Sequence, residues 1–184
     1  MFEKIKGLFR KKALKKYTGK THTGFMPLCD IHTAISVIDV EDTSFDSCKD
    51  AVIAFYREHD IKGEVFVLDF RKITSEERLI TSITNTILKK DLSWYGKPSE
   101  EKISLLNGKN PDLFISLVSG DDFPVEFIAK SSPAKFKIGR TQLPGGTFDL
   151  VVAEPQGVSC TAEEIFTKIK EYLGVIGRET ADKQ

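Results

Sequence analysis

The feature that most limits what this chain can fold into is an alternation running from residue 34 to residue 174. Short runs rich in β-branched and aromatic residues recur at Ala34–Val40 (AISVIDV), Glu64–Phe70 (EVFVLDF), Asp112–Val118 (DLFISLV), Ala134–Gly139 (AKFKIG) and Phe148–Ala153 (FDLVVA). Between most of them, apolar residues return every three or four positions, the period of a helix. Asp46–His59 is the clearest case: Ala51, Val52, Phe55 and Tyr56 share one face, and Asp46 is suited to cap the start. Ser75–Lys90, Ser99–Leu106, Asp122–Ser131 and Thr161–Leu173 read as further helices. Pro124 fits a first helical turn, and Thr161 with Glu164 has the spacing of a capping box. Near-continuous apolar strands are buried on both faces. The pattern therefore predicts a three-layer α/β domain: a Rossmann-like, mostly parallel sheet of about five strands with helices on both faces. The last two strand runs have no helix between them, which leaves a hairpin or a loop excursion open. A short strand is expected near Phe25–Leu28.

The 184 residues suit one domain. The expected division is an arm at 1–20, a connector at 21–33, the α/β domain at 34–174 and a frayed tail at 175–184. Net charge is zero, with 27 basic and 27 acidic side chains, but the charges are unevenly placed. In residues 1–20, Lys4, Lys6, Arg10, Lys11, Lys12, Lys15, Lys16 and Lys20 face Glu3 alone, so this segment carries +7 and the rest of the chain −7. Phe2, Ile5, Leu8 and Phe9 recur at helical spacing between the lysines, with Gly7 the weak point of the helix. Three readings of this arm stand: a helix packed on its own domain with solvated lysines, a contact with an anionic membrane surface, or a contact with RNA phosphates.

Several chemistries lose their basis in the residues present. Cys29, Cys48 and Cys160 are widely spaced and odd in number, so neither a disulfide framework nor a zinc site is indicated. No apolar run has the roughly 18–20 residues of a membrane span. The N-terminus lacks the apolar core of a secretory signal, and the expected location is cytoplasmic, peripheral to a membrane if the arm binds lipid. Gly19-Lys20-Thr21 mimics the end of a phosphate loop, but the glycine needed five positions earlier is Leu14. After Val40 come Glu41 and Asp42, which would repel a dinucleotide pyrophosphate. His22, His32 and His59 form no placeable pair with a cysteine. A receiver domain would need a lysine where the chain has Glu154. No cofactor is indicated.

Ligands of open α/β sheets bind beyond the carboxyl ends of the strands. That rule selects a carboxylate-rich rim: Asp39, Glu41, Asp42, Asp69 with Arg71, Asp121, Asp122, Arg140 and Glu154. Asp39, Asp69, Asp121, Asp122 and Arg140 are the candidate ligand-binding residues, and two or three converging carboxylates would suit Mg²⁺. The plainer reading is that these acids cap helices and face water. Trp94 and Tyr95, in the loop Leu92–Pro98 (LSWYGKP), are candidates for an aromatic interaction patch, against the plainer reading that Trp94 plugs the edge of the core.

The runs PDLFISL (111–117), SSPAKFKIGR (131–140) and FDLVV (148–152), together with LSWYGKP (92–98), resemble a family of small, uncharacterised bacterial α/β proteins. The resemblance covers most of the domain and the basic N-terminus and implies no assigned activity. Asp112–Leu117, a helix, and then Ala134–Gly139 are similar to the N-terminal half of heptosyltransferase-type glycosyltransferases. That similarity implies a Rossmann-like βαβ unit and not a transferase, since such enzymes bind the nucleotide-sugar mainly through a second domain. The leading expectation is a non-enzymatic cytoplasmic module whose residues Lys4, Lys6, Arg10, Lys11, Lys12, Lys15 and Lys16 meet an anionic membrane surface or RNA. The alternatives are a small ligand- or metal-binding protein or enzyme using the rim, and a protein-interaction subunit using Trp94 and Tyr95.

Overall fold

A computed structural model of the chain describes residues 2–72 and 84–176. The strands are β1 (Thr33–Asp39), β2 (Lys62–Asp69), β3 (Thr86–Leu88), β4 (Leu113–Ser116), β5 (Phe136–Gly139) and β6 (Leu150–Val151). The helices are α1 (Phe2–Tyr17), α2 (Phe45–Glu58), α3 (Glu100–Asn107), α4 (Phe123–Ser131) and α5 (Ala162–Ile176). The six strands lie in the order β3-β2-β1-β4-β5-β6, and every neighbouring pair is parallel. This is the doubly wound order, with its topological switch point between β1 and β4.

Strand periodicity divides the core between the two faces. Ile38 of β1, Leu113 and Ile115 of β4, and Phe136 and Ile138 of β5 pack with Val52 and Phe55 of α2 and with Ile165, Phe166 and Ile169 of α5. Ile35 and Val37 of β1, Phe66 and Leu68 of β2, and Phe114 of β4 pack on the other side, under Leu106 of α3 and Val125 and Ile128 of α4. Two glycines make room for rings: a Cβ at Gly63 would stand 2.0 Å from the Tyr56 ring, and one at Gly139 would stand 2.3 Å from Phe148. α5 opens with the expected capping box, Thr161 N–H donating to Glu164 Oε2 (2.7 Å) and Glu164 N–H to Thr161 Oγ1 (3.3 Å).

Helix α1 adds a partial fourth layer. Ala13, with Leu14 and Tyr17 beside it, packs on Ile103 of α3 and on Phe123 and Phe127 of α4, a cluster apart from the sheet's own core.

Three local expectations are corrected, and one alternative left open is resolved. Residues 86–90, expected at the end of a long helix, form β3 and part of a 3₁₀ turn over Lys89–Asp91. Pairing Thr86–Leu88 with Val67–Asp69 buries Ile87 completely, a return that helix propensity does not match. Residues 75–83 of that expected helix lie outside the described residues. The connector carries no strand near Phe25–Leu28. Pro27, which has no N–H for a ladder, leads instead into a 3₁₀ turn at Leu28–Asp30. The link before the last strand is a loop excursion and not a hairpin, because β6 runs parallel to β5. Ser44, not Asp46, occupies the cap position of α2.

Candidate functional site

Two regions compete as the site, and the structure treats their charges differently. At the carboxyl ends of the strands three carboxylates, Asp42, Asp69 and Glu154, turn onto arginines. Arg140 follows β5 directly and is only 5% exposed. Its guanidinium donates to Asp42 Oδ2 (2.8 Å), to Glu154 Oε1 (2.5 and 3.0 Å), to the Leu117 carbonyl (3.3 Å) and to the Cys160 carbonyl. One fork thus ties together the loops after β1, β4 and β6 and the approach to α5. A rigid planar guanidinium suits such convergence.

Asp42 completes the knot. It accepts from the Ser44 N–H (3.0 Å), the Ser44 hydroxyl (2.8 Å) and the Ala162 N–H at the start of α5 (3.1 Å). Burial works against its charge, but the Ser44 N–H and the Arg140 guanidinium outweigh it and hold its carboxyl below the ordinary range. Asp69 is fully buried and pairs bidentately with Arg71, at 3.0 and 3.1 Å.

The remaining rim residues stand apart from this knot. Asp39 accepts from the Glu41 N–H (2.9 Å), and burial raises its pKa above the ordinary value. Asp121 and Asp122 are exposed on the loop after β4. Among the described residues, no group of three or more His, Cys, Asp or Glu side chains is arranged to hold a metal ion. Asp69 and Arg140, expected as ligand contacts, are therefore engaged in holding the rim itself. Cys48 is buried, and burial pushes its thiol up to about 12, far from a reactive thiolate.

The second region is the outer layer. Arg10 of α1 lies beside Phe123, its guanidinium 4.7 Å from the ring centre, and its Nε donates to the Tyr95 carbonyl (2.9 Å). Tyr17 packs its ring at a tilt on Phe127, centres 5.5 Å apart, and donates its hydroxyl to Glu100. The Gly19 N–H then meets the Lys130 carbonyl at 3.0 Å. These contacts proceed in the same direction along both helices, so α1 runs parallel to α4 and its first two turns extend beyond the start of α4.

Along those two turns the apolar side chains are open. Phe2 is 63% exposed, Leu8 67%, and Ile5 and Phe9 more than 40%. Trp94 is 50% exposed and does not plug the core. It meets Phe9 edge-on at 5.2 Å, Phe2 at 5.6 Å and Tyr95 at 5.4 Å, forming one aromatic cluster on the surface. Lys4, Lys11 and Lys12 are exposed on this stretch of α1, and Lys15 and Lys16 are exposed in its last turn. Arg10, grouped with these lysines on sequence, instead faces the domain.

A model described as a family of unknown function, DUF6913, matches residues 6–176. The chain belongs to this family. The matched span takes in most of α1 along with the domain, so the DUF6913 pattern includes both regions. No curated protein and no solved structure matches the chain. Among the described residues, no helix is long and apolar enough to cross a membrane.

Proposed function

We propose that this protein is a peripheral module that docks on an anionic lipid surface through the first two turns of α1 and the adjoining Trp94. The observation that carries this reading is the exposed row Phe2, Ile5, Leu8 and Phe9, joined to Trp94 and surrounded by lysines. A helix lying in a membrane interface needs both elements, apolar side chains for the acyl boundary and cations for the headgroups. Each Lys near such a surface contributes about 1 kcal/mol, and full burial of a Leu-sized side chain about 1.5–3 kcal/mol. Trp suits the boundary because its ring is apolar and its N–H is not. RNA phosphates would use the lysines equally well, but they give no reason for Leu8 and Ile5 to stand in water beside them. Lipid uses both, and the lipid reading is therefore the stronger.

Co-sedimentation with phosphatidylcholine vesicles, with and without phosphatidylglycerol, tests it. Binding is expected only to the anionic vesicles and should weaken as salt is raised. Leu8→Asn removes apolar area without changing charge and should weaken binding by about ten- to hundredfold. Equal binding to neutral vesicles, or none to either, refutes the reading. Loss of vesicle binding together with tight, salt-sensitive RNA binding that Leu8→Asn leaves intact would assign the lysines to RNA.

A further inference from the structure

Behind the C-terminal end of α1 lies a feature that membrane docking does not use. A cavity of about 380 Å³ opens between α1, the 18–23 segment, the end of α4 and the turn at Gly145-Gly146. That volume falls in the range of roughly 300–1,000 Å³ common for small-molecule sites. Its polar lining is basic and hydroxylic, Lys15, Lys130 and Lys137 with Thr18, Thr21, Thr23 and Thr147; Thr18, Thr23 and Thr147 donate to the Leu14 carbonyl, Asp149 and the Pro144 carbonyl.

Lys137 is the residue that calls for an explanation. It sits in the middle of β5, a buried strand, and is only 6% exposed. An ammonium group has three N–H donors. Among the described residues one is used, in a bond to the Ala129 carbonyl at 2.9 Å. Burial holds the ammonium down at about 8, with Asp149 offsetting part of the cost. Asp149 is itself committed to the Thr23 hydroxyl (2.7 Å) and the Lys137 backbone N–H (2.8 Å). An incompletely partnered buried ammonium is costly to keep in a strand where an apolar residue would fit. Lys130 also lines the cavity, its Nζ 3.9 Å from where a Cβ at Gly145 would stand, but its charge is already paired with Glu126 at 2.6 Å.

We propose that this cavity binds a phosphomonoester, with Lys137 and Lys15 meeting its oxygens and the Thr21 hydroxyl completing the shell. A dianionic phosphate offers acceptor oxygens to the Lys137 N–H groups that the Ala129 carbonyl leaves open. The phosphate could belong to a soluble metabolite or to a lipid headgroup of the phosphatidic acid type. The site stands independently of the membrane reading, because its walls lie away from Phe2, Leu8 and Trp94.

The test uses the full chain. Inorganic phosphate is titrated against a chloride control of matched ionic strength, with binding read from amide chemical shifts and thermal melting. Saturable binding is expected, and Lys137→Met, which keeps the apolar stem, should weaken it by about tenfold or more, the loss for one charge-assisted hydrogen bond. If that variant does not fold, Lys15→Gln on the exposed helix face serves instead, with a smaller loss expected. A second arm compares vesicles containing phosphatidic acid with vesicles containing phosphatidylglycerol at equal surface charge. A preference for phosphatidic acid that the lysine variant abolishes places the phosphate on a lipid. Phosphate binding without that preference places it on a soluble ester. No saturable response to phosphate and no lipid preference, or identical responses in wild type and variant, overturns the proposal. Failure of the phosphatidylglycerol arm alone removes membrane docking and leaves this site standing.

Discussion

The rim at the carboxyl ends of the strands and the outer face of α1 are both crowded with charge, yet they are built in opposite ways. At the rim, Arg140 and Arg71 consume Asp42, Glu154 and Asp69 within the fold. On α1, Lys4, Lys11 and Lys12 meet solvent on the same stretch of helix as exposed Leu8 and Ile5. Density of charge alone thus does not distinguish the two. What separates the two is whether the structure has already supplied the partner. The position where an open α/β sheet most often takes a ligand is here used to fasten its own loops and α5.

The largest effect should come from undoing that fastening. Arg140→Ala leaves Asp42 charged and partly enclosed, removes ties to the Leu117 and Cys160 carbonyls, and frees the start of α5. Breaking one partner out of a buried pair costs about 3–5 kcal/mol, which urea unfolding would read directly. Vesicle binding by the fraction that remains folded should persist, because α1 does not touch this knot. A cost below about 1 kcal/mol, the range of surface ion pairs, would show that the rim is open after all and return it to consideration as a ligand site.

Next in size is a difference in pH response between two carboxylates, buried Asp112 and half-buried Asp39. Asp112 accepts from the His32 and Thr33 N–H groups, each at 3.0 Å, and from Lys135 Nζ at 2.8 Å. Burial opposes its charge, but these donors prevail and hold it at about 2, below the ordinary 3.8. A lowered carboxylate pKa contributes stability that is present above the unfolded value and lost as pH falls from near 4 through about 2. Asp39 is shifted the other way, chiefly by burial, so its contribution is full in acid and declines as pH rises past its unfolded value. At neutral pH, Asp112→Asn should therefore cost about 1–3 kcal/mol, while Asp39→Asn should be neutral or slightly stabilising. If Asp39→Asn destabilised as much as Asp112→Asn, Asp39 would have to be accepting more than the Glu41 N–H seen here.

How much of this was legible in the sequence follows from which interactions are local. Period-2 and period-3.6 patterns place five of the six strands and all five helices of the described chain, and they predict the parallel sheet, because those signals come from burial repeated along one segment. Thr86–Leu88 escaped because three residues are too few to show a period, and their strand character depends on Val67–Asp69 alongside. Arg140 was correctly placed at a strand end, but its role depends on Asp42 and Cys160, which are 98 and 20 residues away. No local pattern encodes that convergence. Lys137 gave one faint signal, a lysine in the alternating run AKFKIG, where the usual assumption is a solvent-facing side chain. The split in α1 was hidden for a related reason: both halves look amphipathic, and only the position of α4 decides which half is covered.

That split yields the smallest expected effects and the sharpest test of the comparison. Tyr17→Phe removes the hydroxyl bond to Glu100 in the covered half of α1 and should cost up to about 1 kcal/mol, the net worth of one hydrogen bond. Leu8→Asn, in the open half, removes an apolar side chain already 67% exposed, and its effect on stability should lie within about 0.5 kcal/mol. The same substitution is the one expected to abolish most vesicle binding, so stability and docking should separate at this position. A Leu8→Asn variant that melts several degrees lower would mean that Leu8 packs on the domain in solution. The apolar row would then belong to the fold, and the lysines around it would be ordinary solvated charge.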